Sequence, residues 1–329
     1  MPNVDKDIAP ARMTHAIVLS GPLAGRFWRS LAARLRALAV RRVVGLVVTA
    51  LAALTGCSAL DALDAVTPRG EGTRSTGIPY GPGPRQTLDV YAPAGPAAAP
   101  GATGAPVLVF FYGGGWNTGR KEQYRFVAET LTAAGYVVAI PDYRIVPDAH
   151  FPDFVEDSAA AVAWVHAHIA ALGGDPRRIV LIGHSAGAYN VAMLALDPRY
   201  LRAHGLETGA LAGVVAISGP YDFLPLRSRL TTAAFGRAAD LPATQPITFA
   251  RADAPPLLLL NGSADNLVPP RHALALAERV REAGGQVRVI VYDGLGHIDI
   301  MAGLSTVLRG SSPLLGDITG FIQTLPAFR

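Results

Sequence analysis

The pentapeptide Gly183-His184-Ser185-Ala186-Gly187 follows a short apolar run, Arg178–Ile182, and precedes the helical pattern Ala188–Leu196. A strand, a sharp turn with serine at its tip and then a helix present a hydroxyl for nucleophilic attack. The flanking glycines fit that geometry, because a Cβ beside a strained turn would clash with neighbouring backbone. A serine hydroxyl is a poor nucleophile at neutral pH; it needs a base to take its proton and a third group to orient that base. Ser185 therefore predicts a histidine and an acid placed just past other strand ends.

Both are found downstream. After the apolar run Pro256–Leu260 comes Asn261–Pro269, which contains Asp265, and after Val287–Val291 comes Tyr292-Asp293-Gly294-Leu295-Gly296-His297. His297 is the expected base and Asp265 the expected acid. Asp293 lies too near His297 in the same loop to reach it without an awkward turn. Of the eight histidines, His166 and His168 fall mid-helix, His15 lies in the leader, and His150, His204 and His272 lie near helix ends. His184, inside the pentapeptide, is expected to point away from where a base must sit.

A developing oxyanion needs backbone donors with no side chain in the way. Tyr112-Gly113-Gly114-Gly115-Trp116 follows the buried run Pro106–Tyr112 and supplies a glycine loop. The Ala186 N–H, next to the nucleophile, is a further donor. No Gly-Lys-Ser/Thr follows the glycines and Gly-x-Gly-x-x-Gly does not fit, which argues against a nucleotide site.

The elements that must hold these groups alternate. Strands are expected at Gln86–Tyr91 (an edge strand), Pro106–Tyr112, Tyr136–Ile140, Arg178–Ile182, Gly213–Ile217, Pro256–Leu260 and Val287–Val291. Helices are expected at Glu122–Ala134, Phe154–Leu172, Ala188–Leu196, Arg271–Ala283 and Pro313–Leu325. Gly173-Gly174-Asp175-Pro176 reads as the stop of the long helix. Apolar strands alternating with helices imply an α/β fold, a mostly parallel central sheet with helices on both faces. The strand-free piece between Ser218 and Ala254 is read as a small cap over the site.

The chain of 329 residues carries a formal charge of +4, but residues 1–56 hold eight Lys/Arg and two acids, so the remainder is close to −2. A basic leader on a slightly acidic body is no footprint for nucleic acid. Arg41-Arg42 precedes 14 mostly apolar residues, Val43–Gly56, too short a span for a membrane helix and right for a signal-peptide core. Leu54-Thr55-Gly56-Cys57 resembles the lipobox of bacterial lipoproteins, in which the cysteine is lipidated and becomes the first mature residue. Cys57 is the only cysteine, so an internal disulfide is impossible and a zinc set is missing. The expected organisation is a signal peptide at 1–56, a flexible tether at 57–80 and a catalytic domain at 81–329. That implies a membrane attachment through Cys57 in the cell envelope; Ser58 rather than aspartate after the cysteine leans towards the outer membrane.

From about Leu88 onward the chain resembles the α/β-hydrolase superfamily, in particular its esterase/lipase group, which includes hormone-sensitive-lipase-like esterases, isoprenylcysteine methylesterases and kynurenine formamidases. The carriers are Tyr112–Trp116, Asp142-Tyr143-Arg144, Gly173–Pro176, the Ser185 pentapeptide, Asp265 with Val268-Pro269, and Gly296-His297. The order Ser185, Asp265, His297 is that group's order. By that likeness Gly114, Gly115 and Ala186 are the oxyanion donors, and Asp142-Tyr143-Arg144 is structural, tying a strand end to the site. The glycine motif of that group usually begins with histidine, where this chain has Tyr112. The resemblance implies a serine carboxylesterase acting on small-molecule esters through an acyl-enzyme, without metal or organic cofactor. An arylformamidase-like amide hydrolase, a serine peptidase and a non-catalytic envelope binding protein are the alternatives.

Overall fold

The computed structural model describes residues 59–95, 104–306, 308 and 312–328; the leader and Cys57 lie outside the described residues. Among the described residues, eight strands form one sheet: β1 (Thr73–Pro79), β2 (Thr87–Ala92), β3 (Ala105–Phe111), β4 (Val137–Pro141), β5 (Gly174–His184), β6 (Leu211–Ile217), β7 (Leu257–Gly262) and β8 (Val287–Tyr292). Their order is β1-β2-β4-β3-β5-β6-β7-β8. β1 pairs antiparallel with β2 and β2 with β4, and every later pairing is parallel. β4 and β7 are buried at every position, as strands covered on both faces must be, and their uninterrupted apolar runs reflect that.

The helices are α1 (Ala59–Val66), α2 (Arg125–Thr132), α3 (Asp153–His168), α4 (Ala186–Leu196), α5 (Pro198–Arg202), α6 (Arg229–Phe235), α7 (Arg271–Glu282) and α8 (Leu314–Thr324). The fold is that of an α/β-hydrolase. All eleven residues of α4 are buried, because it crosses the middle of the molecule behind the strand that carries Ser185. Between β6 and β7 the chain forms α6 and two 3-10 turns without a strand, matching the cap read from sequence.

Three expectations need correction. Gln86–Tyr91 does not border the sheet: β1 adds a further strand outside it, from Thr-Arg-Ser-Thr-Gly-Ile-Pro, a mostly polar run with no apolar alternation to signal it. Gly174-Asp175-Pro176 belongs to the start of β5, with only Gly173, at φ 87, terminating the preceding turn. Among the described residues, 59–80 are not a loose tether. Leu63 of α1 is buried in the core, Thr67 Oγ1 donates to the Leu63 carbonyl at 2.7 Å, and Arg125 donates to the Thr67 carbonyl at 3.1 Å.

The physical reason lies in α2. Its N-cap residue is Tyr124, whose side chain gives the helix no cap bond, so its first N–H groups need an outside acceptor. Asp64 of α1 supplies it: Oδ1 accepts from the Phe126 N–H at 3.1 Å and Oδ2 from Arg125 Nε at 3.3 Å. Asp64→Ala is expected to lower the unfolding free energy by about 1 kcal/mol, read as a lower urea midpoint at unchanged slope, with Asp64→Asn closer to wild type.

Candidate active site

Ser185 lies between β5 and α4 at φ 55, ψ −117. A non-glycine residue there costs on the order of 1–3 kcal/mol and persists only where the surroundings hold it. The surroundings do. The Ser185 N–H donates to the Ile217 carbonyl at 2.9 Å. A Cβ on Gly183 would meet the Gly187 carbonyl oxygen at 2.3 Å, and a Cβ on Gly187 would meet that of Phe111 at 2.0 Å. The two glycines thus let the turn close on itself and on the end of β3.

The predicted partners converge on that serine. His297 Nε2 is 2.9 Å from Ser185 Oγ, and His297 Nδ1 is 2.8 Å from Asp265 Oδ2. A carboxylate can only accept, so Nδ1 carries the proton and Nε2 presents a lone pair to the hydroxyl. Asp265 is fixed in turn: Oδ1 accepts from the Leu267 and Val268 N–H groups at 3.1 and 2.8 Å, and Asn261 Nδ2 approaches Oδ2 at 3.4 Å. Asp293 is exposed and accepts instead from Ser263 Oγ at 3.1 Å. The arrangement can draw a proton from Ser185 to Nε2 and stabilise the resulting imidazolium.

Gly114 and Gly115 line the same cavity as Ser185 and Ala186. Ala186 opens α4, where N–H groups have no partner within the helix. Gly114 and Gly115 adopt φ 134 and 59, and a Cβ on Gly114 would meet the Thr118 carbonyl oxygen at 2.3 Å. Glycine is required there by both conformation and space.

Tyr112 takes the place of the usual histidine with its own set of bonds. Its hydroxyl donates to Asp142 Oδ1 at 2.6 Å and accepts from Arg85 Nη2 at 2.9 Å. Its ring stacks on Tyr124 and Tyr143 at 5.6 and 4.8 Å between centroids. Burial pushes the hydroxyl pKa of Tyr112 up, so it stays a donor. Asp142 also accepts from the Lys121 N–H at 2.9 Å, while the Tyr143 hydroxyl donates to the Tyr112 carbonyl at 2.8 Å. Arg144 pairs with the buried Asp157 at 2.8 Å. Asp142-Tyr143-Arg144 thus ties the end of β4 to the glycine loop. Arg85, which also donates to the Gly119 and Tyr143 carbonyls at 2.7 and 2.9 Å, completes the brace and gave no signal in sequence.

His184 departs from expectation. Its side chain does not point away from the site: Nε2 donates to the His297 backbone carbonyl at 3.0 Å, and the two rings lie 5.0 Å apart. It is fully buried, and Nδ1 finds no partner among the described residues. His184 therefore pins the loop that carries His297.

The cavity above Ser185 measures about 970 Å³. Trp116, Phe223, Leu230, Leu267 and Ile298 give it apolar walls, and the cap contributes two of them. Trp116 is held by Asn190, which accepts from its indole N–H at 3.2 Å. Among the described residues, no group of three or more His, Cys, Asp or Glu side chains is placed to hold a metal ion.

The family pattern BD-FAE matches residues 88–280, more than half of the chain. The chain belongs to the BD-FAE family. It thereby lies within the α/β-hydrolase esterase/lipase superfamily. Among curated proteins, this BD-FAE member is 34% identical over 248 residues to esterase LipC of Mycobacterium tuberculosis, covering 69% of this chain and 60% of that protein. It is 29% identical over 257 residues to a probable isoprenylcysteine alpha-carbonyl methylesterase of Arabidopsis thaliana, covering 71% of this chain and 52% of that one. The chain thus spans between half and two thirds of the length of these relatives. A solved thermophilic esterase of Thermogutta terrifontis with propionate bound superposes at a TM-score of 0.62 with 26% identity, over 79% of this chain and 96% of that one.

Burial, then the electrostatic effect of the neighbouring His297 ring, lowers the His184 pKa from 6.5 to about 3. In the unfolded chain the same ring takes up a proton near its ordinary value. Below about pH 6.5 the unfolded state therefore binds more protons, and stability falls as the pH drops. His184 alone is expected to contribute up to about 1.4 kcal/mol per pH unit of that loss. Urea midpoints followed from about pH 7 to about pH 4.5 are expected to fall less steeply in His184→Gln than in wild type.

Proposed function

We propose that the protein is a serine carboxylesterase that hydrolyses small-molecule carboxylic esters through an acyl-enzyme on Ser185. The observation that carries this reading is the Ser185 Oγ–His297 Nε2–Asp265 Oδ2 chain, with steps of 2.9 and 2.8 Å, at the floor of an apolar cavity. Ser185 Oγ attacks the acyl carbon as its proton passes to His297 Nε2. Asp265 holds the tautomer and stabilises the imidazolium. The N–H groups of Gly114, Gly115 and Ala186 receive the oxyanion. The alkoxide leaves with the proton from His297. Water then attacks the acyl-enzyme, gives its proton to Nε2, and the carboxylic acid departs as Ser185 Oγ regains its hydrogen.

The esterase names of its relatives support this reading, and the propionate in the Thermogutta terrifontis structure supports a carboxylic acid as product. The test is turnover of p-nitrophenyl esters beside N-formylkynurenine. Ester hydrolysis is expected to exceed formamide hydrolysis. Ser185→Ala is expected to lower kcat by on the order of 10⁴-fold or more, and Asp265→Asn by a comparable factor through loss of the correct tautomer. Ester turnover surviving in Ser185→Ala would sink the mechanism.

We further propose that Cys57 is lipidated and tethers the enzyme in the cell envelope, on the strength of the Arg41-Arg42 flank, the apolar run Val43–Gly56 and Leu54-Thr55-Gly56-Cys57. Among the described residues, no helix is long and apolar enough to cross a membrane. Cys57→Ser is expected to move the protein from the membrane pellet to the soluble fraction; unchanged sedimentation would count against lipidation.

A further inference from the structure

Helix α1 lies before residue 88, where the family match begins, yet one of its side chains reaches the cavity. Leu60 lines it beside Thr118, Gly119, Gln123 and Tyr124, on the side formed by the glycine loop and the turn after it. That turn, Lys121–Tyr124, ends in Tyr124, which lines the cavity and stacks on Tyr112 at the start of the glycine loop. Leu60, Leu63, Asp64 and Thr67 follow the i, i+3, i+4, i+7 spacing of a single helix face, and that face is the one packed on the enzyme. Leu63 enters the core, and Asp64 caps α2. Asp61 adds a second tie, accepting from Gln123 Nε2 and from Arg120 Nη2, each at 3.0 Å. Two carboxylates, both on the turn that follows Leu60, therefore fix the helix against the enzyme and hold Leu60 at the cavity.

We propose that Leu60 is a specificity-determining wall of the substrate cavity, and that α1 suits the site to esters carrying an extended apolar chain. The inference rests on the esterase reading of Ser185. The chain of such an ester lies against Leu60 as well as against the cap residues Phe223 and Leu230, so the wall is built from two segments far apart in sequence. Removing α1 takes away one of these walls without altering Ser185, His297 or Asp265.

The test uses the full chain and the ratio of kcat/KM for p-nitrophenyl octanoate to that for p-nitrophenyl acetate. Leu60→Ala is expected to lower this ratio about four- to fifteenfold, as loss of one to two buried methylene contacts would. Leu60→Trp, which fills the cavity at that point, is expected to lower it further. Asp64 does not line the cavity, so Asp64→Ala acts only through the placement of α1; it is expected to lower the ratio, and Asp64→Asn, which keeps the acceptor, to restore it. A ratio within about twofold of wild type in both Leu60 variants, or a rise in Leu60→Ala, overturns the proposal. Ser185→Ala separates the two readings: turnover surviving in it defeats the esterase reading itself, whereas Ser185-dependent turnover with an unchanged ratio defeats only the role of Leu60.

Discussion

The closure of the backbone at Ser185 is the constraint on which the remaining geometry depends. A residue at φ 55 between a strand and a helix leaves room for a Cβ neither at Gly183 nor at Gly187. The same crowding presses α4 against the carbonyl of Phe111 at the end of β3, so the serine and the glycine loop that follows Phe111 cannot move independently. The hydrogen bond from the Ser185 N–H to Ile217 adds the end of β6 to the same knot. Strand ends adjacent in the sheet thus meet at one point, and the groups hanging from them are within reach of each other because the sheet is parallel there.

Polar groups under the glycine loop do a second job. A loop of consecutive glycines has little side-chain packing to hold it, and glycine gains the most entropy when it is loose. Tyr112, Asp142, Arg85 and the Lys121 N–H supply the hold in a buried network in which nearly every polar atom has a partner. Such a network stiffens its surroundings when satisfied and is costly when one member is lost. Tyrosine in place of histidine keeps a hydrogen-bonding group at the start of the loop and adds aromatic stacking on both sides.

The candidate site residues are legible because each lies in a loop just past a strand: the runs before Ser185 and Asp265 are apolar and buried, while that before His297 keeps the same pattern despite Arg288. Asp265 could be told from Asp293 by the turn each would need. What escaped the sequence shares one physical character: it depends on contacts between distant segments rather than on local pattern. β1 has no apolar alternation and exists by pairing with β2. The composition of α1 suggests a tether, yet the helix is fixed by Asp64 reaching the unfilled cap of α2, 62 residues away. Arg85 is one arginine among many until three acceptors converge on it. The place of His184 in the turn suggests a side chain turned away, whereas its role comes from the His297 carbonyl, 113 residues further along the chain.

The order of the strands carries a consequence for how the protein fails. β5 and β7, which lead to Ser185 and Asp265, lie inside the sheet, but β8, which leads to His297, pairs only with β7 and is half-exposed along most of its length. Border strands open at lower free energy than central ones. Partial fraying of that border withdraws the imidazole while the serine, the carboxylate and the bulk of the core stay in place. An opening of that border would therefore empty the site of its base before the core melts, and it is opposed by the ties on the loop: the Ala264 N–H to the Leu295 carbonyl at 3.0 Å, Asp265 on the His297 ring and His184 on the His297 carbonyl.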